Sequence, residues 1–276
     1  MTRPPPVVVG LYVPGDRPER FAKALAAGAD QVVVDLEDAV PPERKSYARD
    51  AVAELLASSG ARRIAVRPNG LGTPWHDADL EMLAAAARPP ALRLPKVETA
   101  TDVDRVLRRL PAKVAVTCLL ESALGVEHAY AIAAHPAVTA VALGEADLRA
   151  QLGITAETGL DWLRVRLVVA ARAAKLDAPQ MAVYPRLDDD EGLLASCQYG
   201  ARLGMLGRTA IHPRQIPVIR KAFRPSPEEV ERAEAVLGAL TGSVGAARLP
   251  DGAMVDEAMA AQARRTLQLR DLLGDA

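Results

Sequence analysis

A (β/α)8 barrel is the α/β fold this sequence predicts, and three observations predict it. Short apolar strands alternate with helical segments about eight times, and no two strand-like runs meet across a hairpin signal. The third is the length of 276 residues, which suits one closed barrel. Half the residues are hydrophobic but only 3% are aromatic, so Ala, Val and Leu must fill the core.

The elements follow in order. Residues 7–13 read as an apolar first strand, leading through Pro14-Gly15-Asp16-Arg17-Pro18 into a helix over 19–27 that Gly28 ends. Strand two, 31–36, closes on Asp35, Glu37 and Asp38, and Pro41-Pro42 precede a helix running to 58. Strand three, 63–67, stops at Pro68-Asn69-Gly70. A loop over 72–77 opens an alanine-rich helix that ends before Pro89-Pro90. Strand four, 91–94, precedes Pro95-Lys96-Val97-Glu98, and a helix over 100–110 hands over to strand five, 115–121. One helix later the sixth strand, 138–147, also ends in an acid. A helix over 160–174, a faint seventh strand at 180–184, a helix capped near Asp189 and an eighth strand over 205–211 complete the circuit, closed by His212-Pro213. These readings assign 1–225 to the barrel and 226–276 to C-terminal helices and a flap. A glycine-rich link at 241–245 opens the tail, which either reaches a neighbouring subunit or packs under the barrel.

The formal charge of −1 gives no bulk electrostatic reason to bind nucleic acid or a membrane surface. The N-terminal apolar run is too short for a signal peptide or a span, and Cys118 and Cys197 lack metal spacing. Both cysteines read as buried thiols, and the expected compartment is the cytoplasm.

Residues just past the carboxyl ends of barrel strands converge on one face, where catalysis sits. Strand ends supply Asp35, Glu37, Asp38, Arg67, Asn69, Lys96, Glu121, Glu145, Asp147 and His212. Glu121 and Asp147 close neighbouring parallel strands, where unpaired charge has no structural use, so the pair reads as oxygen ligands for a hard divalent cation. Glu121 alone could instead serve as an acid at a helix N-terminus. Arg67 is placed to grip a substrate carboxylate, with Glu37 and Asp38 neutralising Lys96 or Arg67 around it. The run Asp188-Asp189-Asp190-Glu191 reads as a helix cap, His76, His128 and His135 as surface or loop residues, and His212 as structural. No Walker A, dinucleotide or serine-hydrolase motif is present.

Several ordered motifs carry a resemblance. Leu11-Tyr12-Val13-Pro14-Gly15-Asp16-Arg17-Pro18-Glu19-Arg20-Phe21, Asp35-Leu36-Glu37-Asp38-Ala39-Val40, Leu94-Pro95-Lys96-Val97-Glu98, Leu120-Glu121-Ser122, Gly144-Glu145-Ala146-Asp147-Leu148, Ile211-His212-Pro213-Arg214-Gln215-Ile216 and Gly252-Ala253-Met254-Val255-Asp256 together resemble the citrate lyase β-subunit-like family. The similarity spans nearly the whole chain. It implies a phosphoenolpyruvate/pyruvate-type barrel, and a carbon–carbon lyase acting on a CoA thioester of a hydroxy acid to give an α-keto acid, as in malyl-CoA and citramalyl-CoA lyases. By the same resemblance Mg2+ is held by Glu121 and Asp147, and Arg67 contacts substrate carboxylate and oxyanion. Tyr12, Arg17 and Lys23 match CoA contacts, Asp256 matches an acid that reaches a neighbouring subunit's site, and the assembly is a homotrimer or hexamer. Two departures stand out: Pro68 interrupts the usual sequence after Arg67, and the seventh strand lacks an acid near its start, where Tyr184 and Arg186 stand instead. Competing readings are a class II pyruvate-type aldolase on free hydroxy-keto acids, a thioesterase, and a subunit of a citrate lyase-like complex.

Overall fold

The computed structural model describes residues 6–58, 63–110, 114–241 and 246–274. The glycine-rich link expected at 241–245 therefore lies, Thr241 apart, outside the described residues, as does the chain before Pro6. Two compact units form, residues 6–219 and the chain from residue 220 on.

In the first unit β1 (Val9–Pro14) leads to α1 (Phe21–Ala26), β2 (Gln31–Asp35), α2 (Lys45–Ser58) and β3 (Ile64–Arg67). There follow α3 (His76–Ala85), β4 (Ala91–Leu94), α4 (Ala100–Leu107), β5 (Val116–Leu120), α5 (Ala123–Glu127) and α6 (Ala129–Ala133). The circuit ends with β6 (Val138–Leu143), α7 (Glu145–Leu152), α8 (Asp161–Ala173), α9 (Asp190–Arg202) and β7 (Arg208–Ala210), and α10 (Gln215–Phe223) carries the chain across the boundary at residue 219. The seven strands lie in the order β6-β5-β4-β3-β2-β1-β7, and every pairing within the sheet is parallel. Most of their residues are buried, on both faces of the sheet; Val32, Val33 and Val34 of β2 are at most 3% exposed. That is the environment a run of β-branched residues selects, each buried Val contributing about 1.5–3 kcal/mol.

The faint seventh stave is fainter than the sequence suggests. Only Ala142–Gln180 and Met181–Arg208 bridge the interval between β6 and β7, closing the cylinder without a ladder. The eighth stave shortens to β7, entered through Gly207 at φ +80. A Cβ there would stand 2.1 Å from the Val8 carbonyl oxygen, so glycine is required on both counts. Local capping fixes several helix starts: Thr99 and Asp102 form a capping box on α4, and Asp189 accepts from the Gly192 N–H at the start of α9.

In the second unit, α11 (Pro227–Leu240), β8 (Ala247–Arg248), β9 (Met254–Val255) and α12 (Glu257–Leu273) share a small core of Ala233, Val236, Leu249, Val255 and Ala263. Cys118 and Cys197 are buried free thiols. No helix among the described residues is long and apolar enough to cross a membrane.

Candidate active site

The parallel register sets the site. Asp35, the last residue of β2, lies opposite Arg67, the last of β3. Arg67 donates from Nε to Asp35 Oδ1 at 2.7 Å and from Nη2 to Oδ2 at 2.6 Å, a fork-on-fork pair. The same carboxylate accepts the N–H groups of Glu37 and Ala39, so one buried acid both clamps the arginine and shapes the loop after β2. Burial works against the Arg67 charge, but the bonds to Asp35 outweigh it and hold its pKa above the ordinary arginine value. Its remaining edge, Nη1, faces Glu37 Oε2 at 3.1 Å and the exposed Asp38 at 3.2 Å. Lys45, buried under the loop, donates to the carbonyls of Leu36 and Glu37 and to Asn69 Oδ1. Asn69 is held in turn by Asp79, so Pro68 leaves a well-anchored turn behind Arg67.

Glu121 follows β5 directly. The Gly144 N–H bonds to the Leu120 carbonyl, and this pairing brings Gly144 against the Glu121 side chain. A Cβ at 144 would come within 2.4 Å of Glu121 Cγ, so only glycine admits the carboxylate here. The sixth strand does not continue to Asp147, as its apolar pattern suggests. It stops at Leu143, the chain turns at Gly144, and Asp147 sits in the first turn of α7, where acids suit the helix N-terminus. Glu121 is 6% exposed, and its Oε2 has no hydrogen-bond partner. Burial, then the charge of Glu37 and hydrogen bonding to Asp147, push its pKa up to about 8. Lys96 is the nearest cation, with Nζ 2.5 Å from Glu37 Oε1 and 4.0 Å from Glu121 Oε2. It extends from a left-handed backbone at φ 53, a conformation rare for lysine.

Two crowded carboxylates, one with an unpartnered buried oxygen, suit a hard divalent cation. No group of three or more potential ligands occurs among the described residues. Two protein oxygens are what Mg2+ accepts when water and substrate fill the other positions.

These residues line a cavity of about 720 Å³ at the carboxyl ends of the strands. It brings together Tyr12, Asp38, Arg67, Glu121 and Asp147. Glu37 and Lys96 join them through the ion pairs described, whereas Arg17 and Lys23 are exposed beyond β1 and do not line it. Asp256 belongs to the second unit, where its carboxylate caps α12 by accepting the Met259 N–H. His76 corrects the sequence reading: it is buried, with Nδ1 2.7 Å from the Asn69 carbonyl. His212 is on the surface and accepts from the Arg214 N–H.

Sequence reasoning gave Asp35 no role and overlooked three buried arginines in the cavity wall. Tyr12 lies between the guanidinium groups of Arg67 and Arg93 at 5.0 and 5.3 Å. Arg164, 1% exposed, clamps both oxygens of Glu145 at 2.7 and 2.8 Å and so ties α8 to the first turn of α7. Arg208 is the third. The signal was available: a charged residue inside a buried apolar run, as in Leu92-Arg93-Leu94.

Comparison with known proteins identifies relatives along most of the chain. The chain is 36% identical over 270 residues to a (3S)-malyl-CoA thioesterase of Cereibacter sphaeroides, covering 93% of this chain and 92% of the relative. It is 31% identical over 301 residues to an L-malyl-CoA/beta-methylmalyl-CoA lyase of the same species, covering 95% and 94%. The structure of the Mycobacterium tuberculosis protein CitE in complex with magnesium, acetoacetate and coenzyme A matches with a TM-score of 0.85 at 36% identity, covering 96% of this chain and 98% of that one. Residues 8–213 match the profile of HpcH/HpaI aldolase/citrate lyase, and the chain belongs to that family.

Proposed function

We propose that the protein is a Mg2+-dependent carbon–carbon lyase. Its substrate is a short 3-hydroxyacyl-CoA thioester such as malyl-CoA or citramalyl-CoA, split into acetyl-CoA or a homologue and an α-keto acid, or formed in the reverse condensation. The observation that carries this reading is the buried Glu121 carboxylate, with one oxygen unpartnered, crowded against Asp147 in a cavity that Arg67 also lines. Glu121 and Asp147 would hold the ion, which supplies Lewis-acid polarisation of the substrate's carboxylate and neighbouring oxygen.

The chain's own residues supply orientation, charge and protons. Asp35 fixes the plane of Arg67, leaving Nη1 to exchange the exposed Asp38 for a substrate oxygen. A charge-assisted bond there favours the alkoxide that forms as the 3-hydroxyl gives up its proton, ahead of carbon–carbon cleavage. As the bond breaks that oxygen becomes the keto carbonyl, and the electron pair passes to the α-carbon of the thioester, which takes a proton in place of the one the hydroxyl released. Asp256 is the acid the resemblance assigns to that transfer, from the same or a neighbouring subunit. Tyr12 lines the cavity, and Arg17 and Lys23 present exposed positive charge beyond β1, suited to the phosphates of CoA. Glu37 and Lys96 hold the charge balance between Arg67 and Glu121. The expected assembly is a trimer or a pair of trimers, which mass measurement in solution tests.

A screen of malyl-CoA, citramalyl-CoA and related thioesters with and without Mg2+, following keto acid and free CoA separately, tests the assignment. Metal-dependent release of keto acid supports it, and full turnover by Glu121→Ala or Asp147→Ala without metal would refute it. A second reading, hydrolysis of the thioester, is favoured by the thioesterase relative, and free CoA without keto acid would select it. A class II aldolase on free hydroxy-keto acids is less favoured, since no histidine among the described residues lines the cavity to act as base.

A further inference from the structure

Among the described residues only two besides glycines take a left-handed backbone, Lys96 at φ 53 and Lys175 at φ 60, and Lys96 lies beside Glu121. Glycine or asparagine suits that conformation better. A lysine held there points to a task for its side chain.

The loop that carries Lys96 is fastened to the strand end that carries Glu121. The Val97 N–H donates to the Leu119 carbonyl at 3.1 Å, and Ser122 Oγ donates to Glu98 Oε1 at 2.7 Å. The N–H groups of Glu98 and Thr99 both donate to Asp102. Gly125 closes the joint, since a Cβ there would stand 2.6 Å from the Val97 carbonyl oxygen. Lys96 and Glu121 thus belong to one block, and the 4.0 Å between Nζ and Oε2 rests on backbone fixed at both ends.

Neutralising Glu37 does not account for this lysine. Arg67 Nη1 already stands 3.1 Å from Glu37 Oε2. Glu121 has no such second cation: among the described residues Lys96 is the one basic group within ion-pair distance of it. A lysine is ordinarily charged at neutral pH, and beside a carboxylate only 6% exposed its field is screened far less than in open solvent. It repels the divalent ion that the same carboxylate attracts.

We propose that Lys96 is a built-in competitor of the divalent ion at Glu121: its ammonium keeps the hold of the Glu121–Asp147 pair on the metal weak, so that the ion exchanges with solution. This inference rests on the metal-pair reading and adds to it how tightly the site holds its ion. Half of the Lys96 side chain is exposed, which leaves Nζ room to stay with Glu37, 2.5 Å away, and draw back from Glu121 as the ion enters.

Mn2+ is the probe, titrated into the full-length protein by electron paramagnetic resonance for wild type, Lys96→Asn and Lys96→Arg. Asparagine suits the left-handed backbone and removes the charge, whereas arginine keeps it. Lys96→Asn should bind Mn2+ about tenfold more tightly than wild type, the effect of losing one partly screened charge, and Lys96→Arg should stay within about threefold. Saturating Mn2+ should also raise the Tm of Lys96→Asn by more than it raises that of wild type. Unchanged or weaker binding by Lys96→Asn, or an equal Tm gain, overturns the competitor. Equal tightening in Lys96→Arg assigns the effect to shape and overturns it too. Wild type decides without any variant: it should lose its Mn2+ on dialysis against metal-free buffer, and retention of one Mn2+ per chain overturns the proposal while leaving the metal pair intact. Absence of any Mn2+ site in wild type overturns both.

Discussion

Replacing Asp35 by asparagine tests the clamp on Arg67. The carboxylate is 1% exposed and accepts four hydrogen bonds, two from Arg67 at 2.7 and 2.6 Å and two from the backbone of the loop it shapes. Asparagine keeps the shape but turns one of those acceptors into a donor facing another donor, and it leaves a guanidinium with only 12% of its side chain exposed short of its main counter-charge. Breaking a buried pair in this way costs about 3–5 kcal/mol. Glu37 and Asp38 remain near Nη1 at 3.1 and 3.2 Å, which places the loss at the lower end, about 3 kcal/mol. For a unit of this size that is a fall in Tm of roughly 6–12 °C. The guanidinium also loses its fixed plane, so kcat/KM in the malyl-CoA assay falls by about 100-fold or more. Urea melts and steady-state kinetics of Asp35→Asn, Arg67→Met and the double variant form the cycle. The double variant should lose less stability than the two singles added together, because the second change removes the stranded charge. Wild-type stability with kcat/KM within about threefold of wild type for Asp35→Asn would refute the clamp.

Two further outcomes follow from the same geometry. Glu121 stands at about 8 in the folded chain against 4.5 for the free group, so the native state holds this proton to higher pH than the unfolded chain does. The stability it contributes is complete below pH 4.5 and is lost as pH rises through about 8, at up to roughly 1.4 kcal/mol per pH unit. The Tm of metal-free protein therefore declines across that window. The Tm gain on adding Mg2+ grows with pH, because metal and proton compete for the same oxygens, and Glu121→Gln flattens both trends. An Mg2+ stabilisation equal at the two ends of the window would contradict this. Arg164→Met strands Glu145 and loosens the first turn of α7, which carries Asp147, so it should lower Tm and weaken Mg2+ affinity by about 10–100-fold. Unchanged affinity in a folded variant would show that the clamp on Glu145 is irrelevant to the metal pair.

Much of the barrel is legible from the chain because parallel strands buried on both faces demand apolar, β-branched runs, and Val32-Val33-Val34 or Ile64-Ala65-Val66 satisfy little else. The seventh stave was over-read for the same reason: Met181-Ala182-Val183 is apolar, but an apolar triplet does not say whether its backbone finds a ladder. Strand ends point to Arg67 and Glu121, yet the turn that carries Asp147 is set by Gly144, whose role lies in the space it leaves for a residue 23 positions earlier. Such long-range fits leave no periodic trace. His76 was misplaced because burial through one bond to a backbone carbonyl has no sequence pattern. The buried arginines were overlooked because charge is read by default as solvated, although Arg164 lies on the buried face of α8 between Leu160 and Leu167.

The central claim is that Glu121 and Asp147 share one divalent ion, and Mn2+ in place of Mg2+ tests it most directly. Electron paramagnetic resonance titration of wild type should reveal a single site, with its affinity reduced at least about 100-fold in Glu121→Gln and in Asp147→Asn. A wild-type site that survives both substitutions with undiminished affinity would place the metal elsewhere and contradict the account.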